Sequence, residues 1–299
     1  MNFHQIEQIA KRPEDFKVLE RVPLTCGDIS FPLVLDCVAG DEISIVVLDV
    51  ETTGFDPNEN ALTELGLTSL LYSPSLGKIT SIVASGSWYQ DPMHPIPTVV
   101  QELTGITDDC VRGKKIEFKD ISSFFSGNTS DPLVIAHNAA FDRSFAEKYI
   151  EGFPTDLRWA CSIKQVNWSA AKFSSKMLEY ILIKLGFFYD GHRANTDTLA
   201  LSFVFMQRPE LLNELVQNSS KRTVIIRAFN SPYNVKDQLK DKGFTWSPDD
   251  NGSHQKHWYI TCEESNLAEQ MLFLNSLYDA DKNVGIEFLD ARVNFKHIV

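Results

Sequence analysis

Residues 43–54 read ISIVVLDVETTG. Ile43–Val50 is a continuous run rich in β-branched residues, the pattern of a strand buried on both faces. Asp49 and Glu51 stand two apart at its end. Residues i and i+2 of a strand point to one face, so the two carboxylates project together. Like charges side by side at the end of an apolar strand repel unless a cation neutralises them. Hard divalent ions such as Mg²⁺ or Mn²⁺ favour oxygen ligands of this kind. Taken alone, the pair also fits a β-turn with solvated acids. Gly54 lets the backbone turn and admits close approach of a ligand.

Working outward, Leu65–Tyr72 and Ile79–Trp88 read as antiparallel partners of this run, with Ser73-Pro74 and Gly77 as turn residues. Leu133–Ala136 reads as another short buried strand, followed by the helical spacing Phe141, Phe145, Tyr149. Met177–Leu185 predicts a helix stopped by Gly186, and Asp197–Met206 predicts an apolar helix closed by Pro209. Strands and helices in this order predict an α/β fold, a mixed β-sheet flanked by helices, over 41–212. Residues 1–40 read as an N-terminal extension: a short helix around Ile6 and Ile9, broken up by Pro13, Pro23 and Pro32. The polar stretch QNSSKR at 217–222 marks a boundary. Beyond it come strand Val224–Phe229, a helix opened by Ser231-Pro232 and stopped by Gly243, and Trp246. The turn-rich insert SPDDNGS (247–253), strand His257–Thr261, helix Asn266–Leu277 and strand Val284–Leu289 follow. That β-α-β-β-α-β order predicts a small C-terminal α+β domain over 220–299.

The chain has 299 residues, 43% hydrophobic and 23% charged, enough for about two domains with a sizeable core. Its longest apolar runs, Ile43–Val50 and Leu199–Met206, are too short to cross a membrane. The opening MNFHQIEQIAKRPEDF lacks an apolar signal core, so a cytoplasmic location is expected. Five scattered cysteines with no C-x-x-C pair read as buried thiols in a reducing compartment. A net charge of −12 argues against coating long stretches of nucleic acid, because such binding rests on Lys and Arg replacing phosphate counterions. It leaves room for an enzyme that grips one chain end through metal ions.

Two further stretches change the reading of the acidic pair. PLVIAHNAAFDRSF carries a strand into His137-Asn138 and then a helix with Asp142 in its first turn, where an acid also offsets the helix dipole. GFFYDGHRANTDTLA places His192 in a loop five residues before Asp197, which opens a helix. Together the motifs D-x-E-T-T-G, H-N-x-x-F-D and H-R-A-x-x-D resemble the DEDD exonuclease superfamily in its histidine-bearing, DnaQ-like branch. Its members include the proofreading epsilon subunit of bacterial replicative polymerase. In the tyrosine branch the aromatic base lies four residues before the last Asp, and here that position is Arg193. A linker element, PIPTVVQELTGITDDCV (95–111), also matches. Many relatives have His before its Gly-Ile-Thr, whereas this chain has Thr104, so a contact made by that His is not carried over. A weaker likeness of the whole chain is to a bacterial subgroup with a C-terminal extension.

The resemblance implies a ribonuclease H-like fold and hydrolysis of phosphodiester bonds from a 3′ end, releasing nucleoside monophosphates. It implies two Mg²⁺ (or Mn²⁺) ions held by Asp49, Glu51, Asp142 and Asp197, a pair able to stabilise the attacking and leaving oxygens of an in-line displacement. His192 would take the proton of the attacking water. By the same resemblance the Thr52-Thr53 backbone and Glu64-Leu65 would contact the terminal nucleotide, Leu65 as a base wedge, while His137, Asn138 and Phe141 line the groove. Core packing is the other reading of Leu65 and Phe141.

In the tail, residues 221–258 hold seven basic against four acidic residues. Phe229, Tyr233, Phe244, Trp246, Trp258 and Tyr259 are interleaved with them, either as a platform for single strands or as the core of a small domain. His254 and His257 read as loop histidines. The expected substrate is the 3′ end of nucleic acid, single-stranded DNA first. Alternatives are RNA ends, or a proofreading role beside a polymerase or repair partner reached through the C-terminal domain.

Overall fold

The computed structural model describes residues 3–27, 29–126, 131–248 and 255–296. Its strands are β1 (Glu20–Arg21), β2 (Leu33–Val34), β3 (Ile43–Thr52), β4 (Leu62–Ser73), β5 (Lys78–Tyr89), β6 (Leu133–Ala136), β7 (Arg158–Cys161), β8 (Phe187–Phe188), β9 (Thr223–Phe229), β10 (Thr245–Ser247), β11 (His257–Glu263) and β12 (Val284–Leu289). Its helices are α1 (Phe3–Lys11), α2 (Thr98–Thr104), α3 (Asp108–Val111), α4 (Phe118–Ile121), α5 (Ala139–Tyr149), α6 (Ser162–Gln165), α7 (Leu178–Leu185), α8 (Ala194–Gln207), α9 (Pro209–Ser220), α10 (Lys236–Asp241) and α11 (Leu267–Leu277). No helix among the described residues is long and apolar enough to cross a membrane.

The main sheet runs β2-β5-β4-β3-β6-β7. β3, β4 and β5 are antiparallel neighbours, whereas β6 and β7 run parallel to β3. This is the mixed sheet expected from the sequence. Alternation along β3 fills both faces, as its composition implies. Ile45 and Val47 pack with Leu199 and Phe203 of α8 and Leu211 and Leu215 of α9. Val46, Leu48 and Val50 pack on the other side with Phe145 of α5 and Trp159. α7 ends at Gly186, whose φ of +98° suits a residue without Cβ.

Two boundaries differ from expectation. Residues 1–40 are woven into the larger body: Val22 and Leu24 are buried in its core, β1 pairs parallel with β8, and β2 adds an edge to the main sheet. Their prolines interrupt helix, yet Val22 and Leu24 still find burial, whereas Val18, Val34 and Val38 stay exposed. The stretch 217–222 is chiefly the last turn of α9, anchored where Asn218 Nδ2 donates to Gln165 O at 2.7 Å, which leaves Lys221-Arg222 as the crossing to β9. α8 stops at Gln207, just before Pro209 as expected, and Pro209 also opens α9 at its first position, where its missing N–H has no intrahelical partner to lose.

The C-terminal α+β module has the antiparallel order β10-β11-β9-β12. One face packs Val224, Ile226 and Ala228 beneath Leu239 and Leu274. Phe244 and Trp258 belong to that core, while Tyr233 and Trp246 are exposed, so the six rings do not share one surface. The local basic surplus is also answered by acids, in the pairs Arg227–Glu287, Lys221–Glu263, Arg222–Glu264 and Lys242–Glu269. His257 lies within β11 and is buried, with Nδ1 2.8 Å from Gln255 O. His254, Asp249 and Asp250 lie outside the described residues. After β12 the chain returns to the main sheet, where Ala291 O accepts the Trp159 N–H at 2.7 Å.

Candidate active site

The site forms where β3 outruns β6. The parallel ladder between them covers Ile45–Val47 and stops. Beyond it the Val50 N–H has no strand to meet and donates to Asp142 Oδ1 at 3.2 Å. Asp142 sits in the first turn of α5 and is 2% exposed. From the opposite face, Asp49, Glu51 and Asp197 bring carboxylate oxygens within 4.8 Å of one another. Asp197 arrives on the first turn of α8, which lies tight against β4. A Cβ added at Gly66, the register partner of Asp49, would stand 2.2 Å from the Ala194 backbone. The structure therefore brings together all four acids singled out in the sequence.

Among the described residues none of the four forms an ion pair with Lys or Arg. Burial, then Asp142, Asp197 and Glu51, raises Asp49 well above the usual carboxylate range. Burial, then Asp197, Glu64 and Asp142, pushes Glu51 up to about 8, against the pull of Arg193. Asp142 is also pushed up to about 8 by burial, although backbone N–H groups, first that of Val50, oppose the shift. Asp197 is raised by burial against hydrogen bonds from Tyr189 and the Arg193 N–H. Clustered hard oxygen donors, Asp142 buried and the other three half-buried, with no ion-pair partner, fit a divalent ion.

His192 is exposed on the loop before α8, with a left-handed φ of +66° that a side-chain-bearing residue rarely takes. The implied substrate contacts fare differently. Leu65 is fully buried in the core and is no accessible wedge; Glu64 is fully buried too, engaged by the Arg193 guanidinium and the Ala194 N–H. Strand alternation sends Glu64 to the face of β4 where α8 is seated and Leu65 to the opposite face, among Leu48, Val50 and Phe145. Thr53 is tied to Ala61 through its N–H and its Oγ1, and Thr52 Oγ1 donates to Gly54 O. His137 spends both ring nitrogens, 2.6 Å from Ser162 Oγ and 2.6 Å from Lys176 O. Asn138 is exposed ahead of α5, and Phe141 is half-buried against Phe145. Thr104 caps its own helix, donating to Val100 O and accepting from the Ile106 N–H.

Sequence reasoning passed over three neighbours. Phe55, directly after Gly54, is 90% exposed; the signal was a large apolar residue inside a turn. The Arg193–Glu64 pair spans 129 positions and has no local signature. Tyr189 follows Phe187-Phe188 with no motif of its own, yet its hydroxyl meets Asp197.

The RNase_T family model, described as "Exonuclease", matches residues 46–205, more than half of the chain. The chain belongs to this exonuclease family. Among curated relatives, the DNA polymerase III PolC-type protein of Clostridium perfringens is 35% identical over 147 residues, 47% of this chain and 9% of the relative. That of Thermotoga maritima is 27% identical over 184 residues, 60% of this chain and 13% of the relative. The chain thus spans about a tenth of the length of these relatives. Among solved structures, the nuclease domain of 3'hExo, a DEDDh family member bound to rAMP, aligns at 19% identity and a TM-score of 0.47. It covers 60% of this chain and 97% of its own. Exonuclease X in complex with 5' overhanging duplex DNA aligns at 20% identity and a TM-score of 0.41, covering 56% and 91%.

Proposed function

We propose that this exonuclease removes nucleotides one at a time from the 3′ end of single-stranded DNA, releasing nucleoside 5′-monophosphates. The observation that carries the reading is the convergence of Asp49, Glu51 and Asp197 within 4.8 Å, with Asp142 tied to the intervening Val50. These four residues would hold the divalent ions. Bound there, two Mg²⁺ or Mn²⁺ ions supply charge stabilisation for the attacking and leaving oxygens. His192, exposed beside Asp197, accepts the proton of the attacking water, a task suited to imidazole near neutral pH. Asn138 and Phe141 border the groove, and exposed Phe55 offers a ring on which a base can stack. Glu64, Leu65 and His137 serve the framework: their polar atoms or apolar surfaces are already engaged. The cysteines, expected as buried thiols, divide: Cys161 is buried, Cys110 and Cys262 are half-buried, and Cys26 and Cys37 are exposed.

The test uses 5′-labelled single-stranded DNA, duplex DNA and RNA, each with Mg²⁺, Mn²⁺ or EDTA. The expected result is a ladder of shortened single-stranded DNA abolished by EDTA. Asp49→Ala and Asp142→Ala should lose activity while keeping their melting temperature, since each relieves carboxylate repulsion. Full Mg²⁺-dependent activity in Asp49→Ala would falsify the assignment. A ladder on RNA alone would move the substrate to RNA. His192→Ala should slow turnover by roughly 10²–10⁴-fold, the usual size of a general-base contribution.

A further inference from the structure

The segment between β8 and α8 is held from both sides. The Glu20 N–H donates to Gly186 O at 3.0 Å and the Val22 N–H to Phe188 O at 2.8 Å. Arg21 pairs with Asp190 at 2.7 Å and lies over the Phe188 ring, 4.9 Å from its centroid. So fixed, the chain turns Tyr189 inward, where it is 9% exposed. Its hydroxyl donates to Asp197 Oδ1 at 2.6 Å, while the Arg193 N–H reaches Oδ2 at 3.1 Å. Each carboxylate oxygen thus gives one lone pair to the protein and keeps another for a ligand. The same ring backs the histidine loop: a Cβ on Gly191 would come 3.3 Å from the Tyr189 hydroxyl and 3.4 Å from its ring. Tyr189, Gly191, His192 and Asp197 line one cavity with Met177 and Leu178.

We infer that Tyr189 is a positioning residue of the exonuclease site, orienting the Asp197 carboxylate through its hydroxyl and supporting the His192 loop through its ring. This inference rests on the exonuclease reading above. An ordinary phenol keeps its proton at neutral pH, so the hydroxyl is available as the donor to Asp197 Oδ1. The N-terminal strand β1 takes part indirectly, since it fixes the backbone from which Tyr189 projects.

The experiment compares wild type, Tyr189→Phe and Gly191→Ala, titrating Mn²⁺ alone by calorimetry without nucleic acid. Turnover and melting temperature are then measured. Removing a hydrogen-bond partner behind a metal ligand weakens metal affinity by about 10–100-fold, and that loss is expected for Tyr189→Phe with an unchanged melting temperature. Gly191→Ala, which presses the loop and leaves the hydroxyl in place, should lower kcat with Mn²⁺ affinity retained. Mn²⁺ affinity in Tyr189→Phe equal to wild type overturns the inference and leaves the exonuclease reading standing. Failure of wild type to bind Mn²⁺ overturns both. Should Tyr189→Phe lose its fold, unchanged kcat in a folded Gly191→Ala protein overturns the loop half of the inference.

Discussion

Asp49, Glu51, Asp142 and Asp197 all titrate above their ordinary values, and burial is the first cause in each case. In the unfolded chain these groups titrate near pH 4. A folded pKa above the unfolded one gives stability that is complete below about pH 4 and is lost as pH rises through the folded value. For Glu51 and Asp142 that value is about 8. The melting temperature of the metal-free protein should therefore fall between about pH 4.5 and 8. Mg²⁺ should raise it more at pH 8 than at pH 5, because binding displaces these protons. Asp142→Asn should flatten the metal-free curve. Thermal melts at several pH values with and without EDTA check this, and a metal-free curve flat across the interval contradicts the arrangement of charges. At this scale the sequence was readable where spacing is local. Asp49 and Glu51 share a face because strands have period two, and Asp142 and His192 stand in short motifs. Tyr189 and the Glu64–Arg193 pair were hidden because their meaning lies in what they touch across the fold.

The elements carrying these residues meet by close approach, and Gly66 is where closeness is decided. β3, β4 and β5 could be read from composition almost to their ends, and α5, α7 and α8 from apolar spacing and Gly186, whereas α9 was not read. Which helix would lie on which strand could not, since packing partners leave no mark on periodicity. Leu65 shows the consequence: its hydrophobicity fits a wedge or a core equally, and α5, packed on the face of the sheet opposite α8, makes it core. Gly66→Ala sets a Cβ 2.2 Å from the Ala194 backbone, a clash that only a shift of α8 or β4 relieves. Overpacking of this kind destabilises by about 1–3 kcal/mol. Because α8 also carries Asp197, turnover should fall by about 10²-fold, as for a misplacement near 1 Å. Chemical denaturation and steady-state kinetics measure the two effects. A variant with wild-type kcat would show that the approach of α8 does not set the site.

On the scale of the molecule, the C-terminal module is stitched to the catalytic body by its last turn. Arg143, next to Asp142 on α5, is fully buried. It donates to Asn294 O and Arg292 O at 2.7 Å each, to Thr155 O at 3.0 Å, and to Glu147. Arg292 in turn pairs with Asp131 at 2.8 Å, and Ala291 occupies the outer edge of β7. These contacts join residues about 150 positions apart, so the sequence offered a boundary at 217–222 and no hint of the return. A chain ending at Leu289 would leave the Arg143 guanidinium without two of its acceptors and open the β7 edge. Hydrogen bonds to a charged group contribute about 1.5–3 kcal/mol each, so the truncated chain should lose about 3 kcal/mol or more. The loosened helix is the one that carries Asp142, so turnover should drop along with stability. Denaturant melts and exonuclease assays of the two chains decide it: equal stability and equal turnover would mean that the returning turn merely rests on the catalytic body.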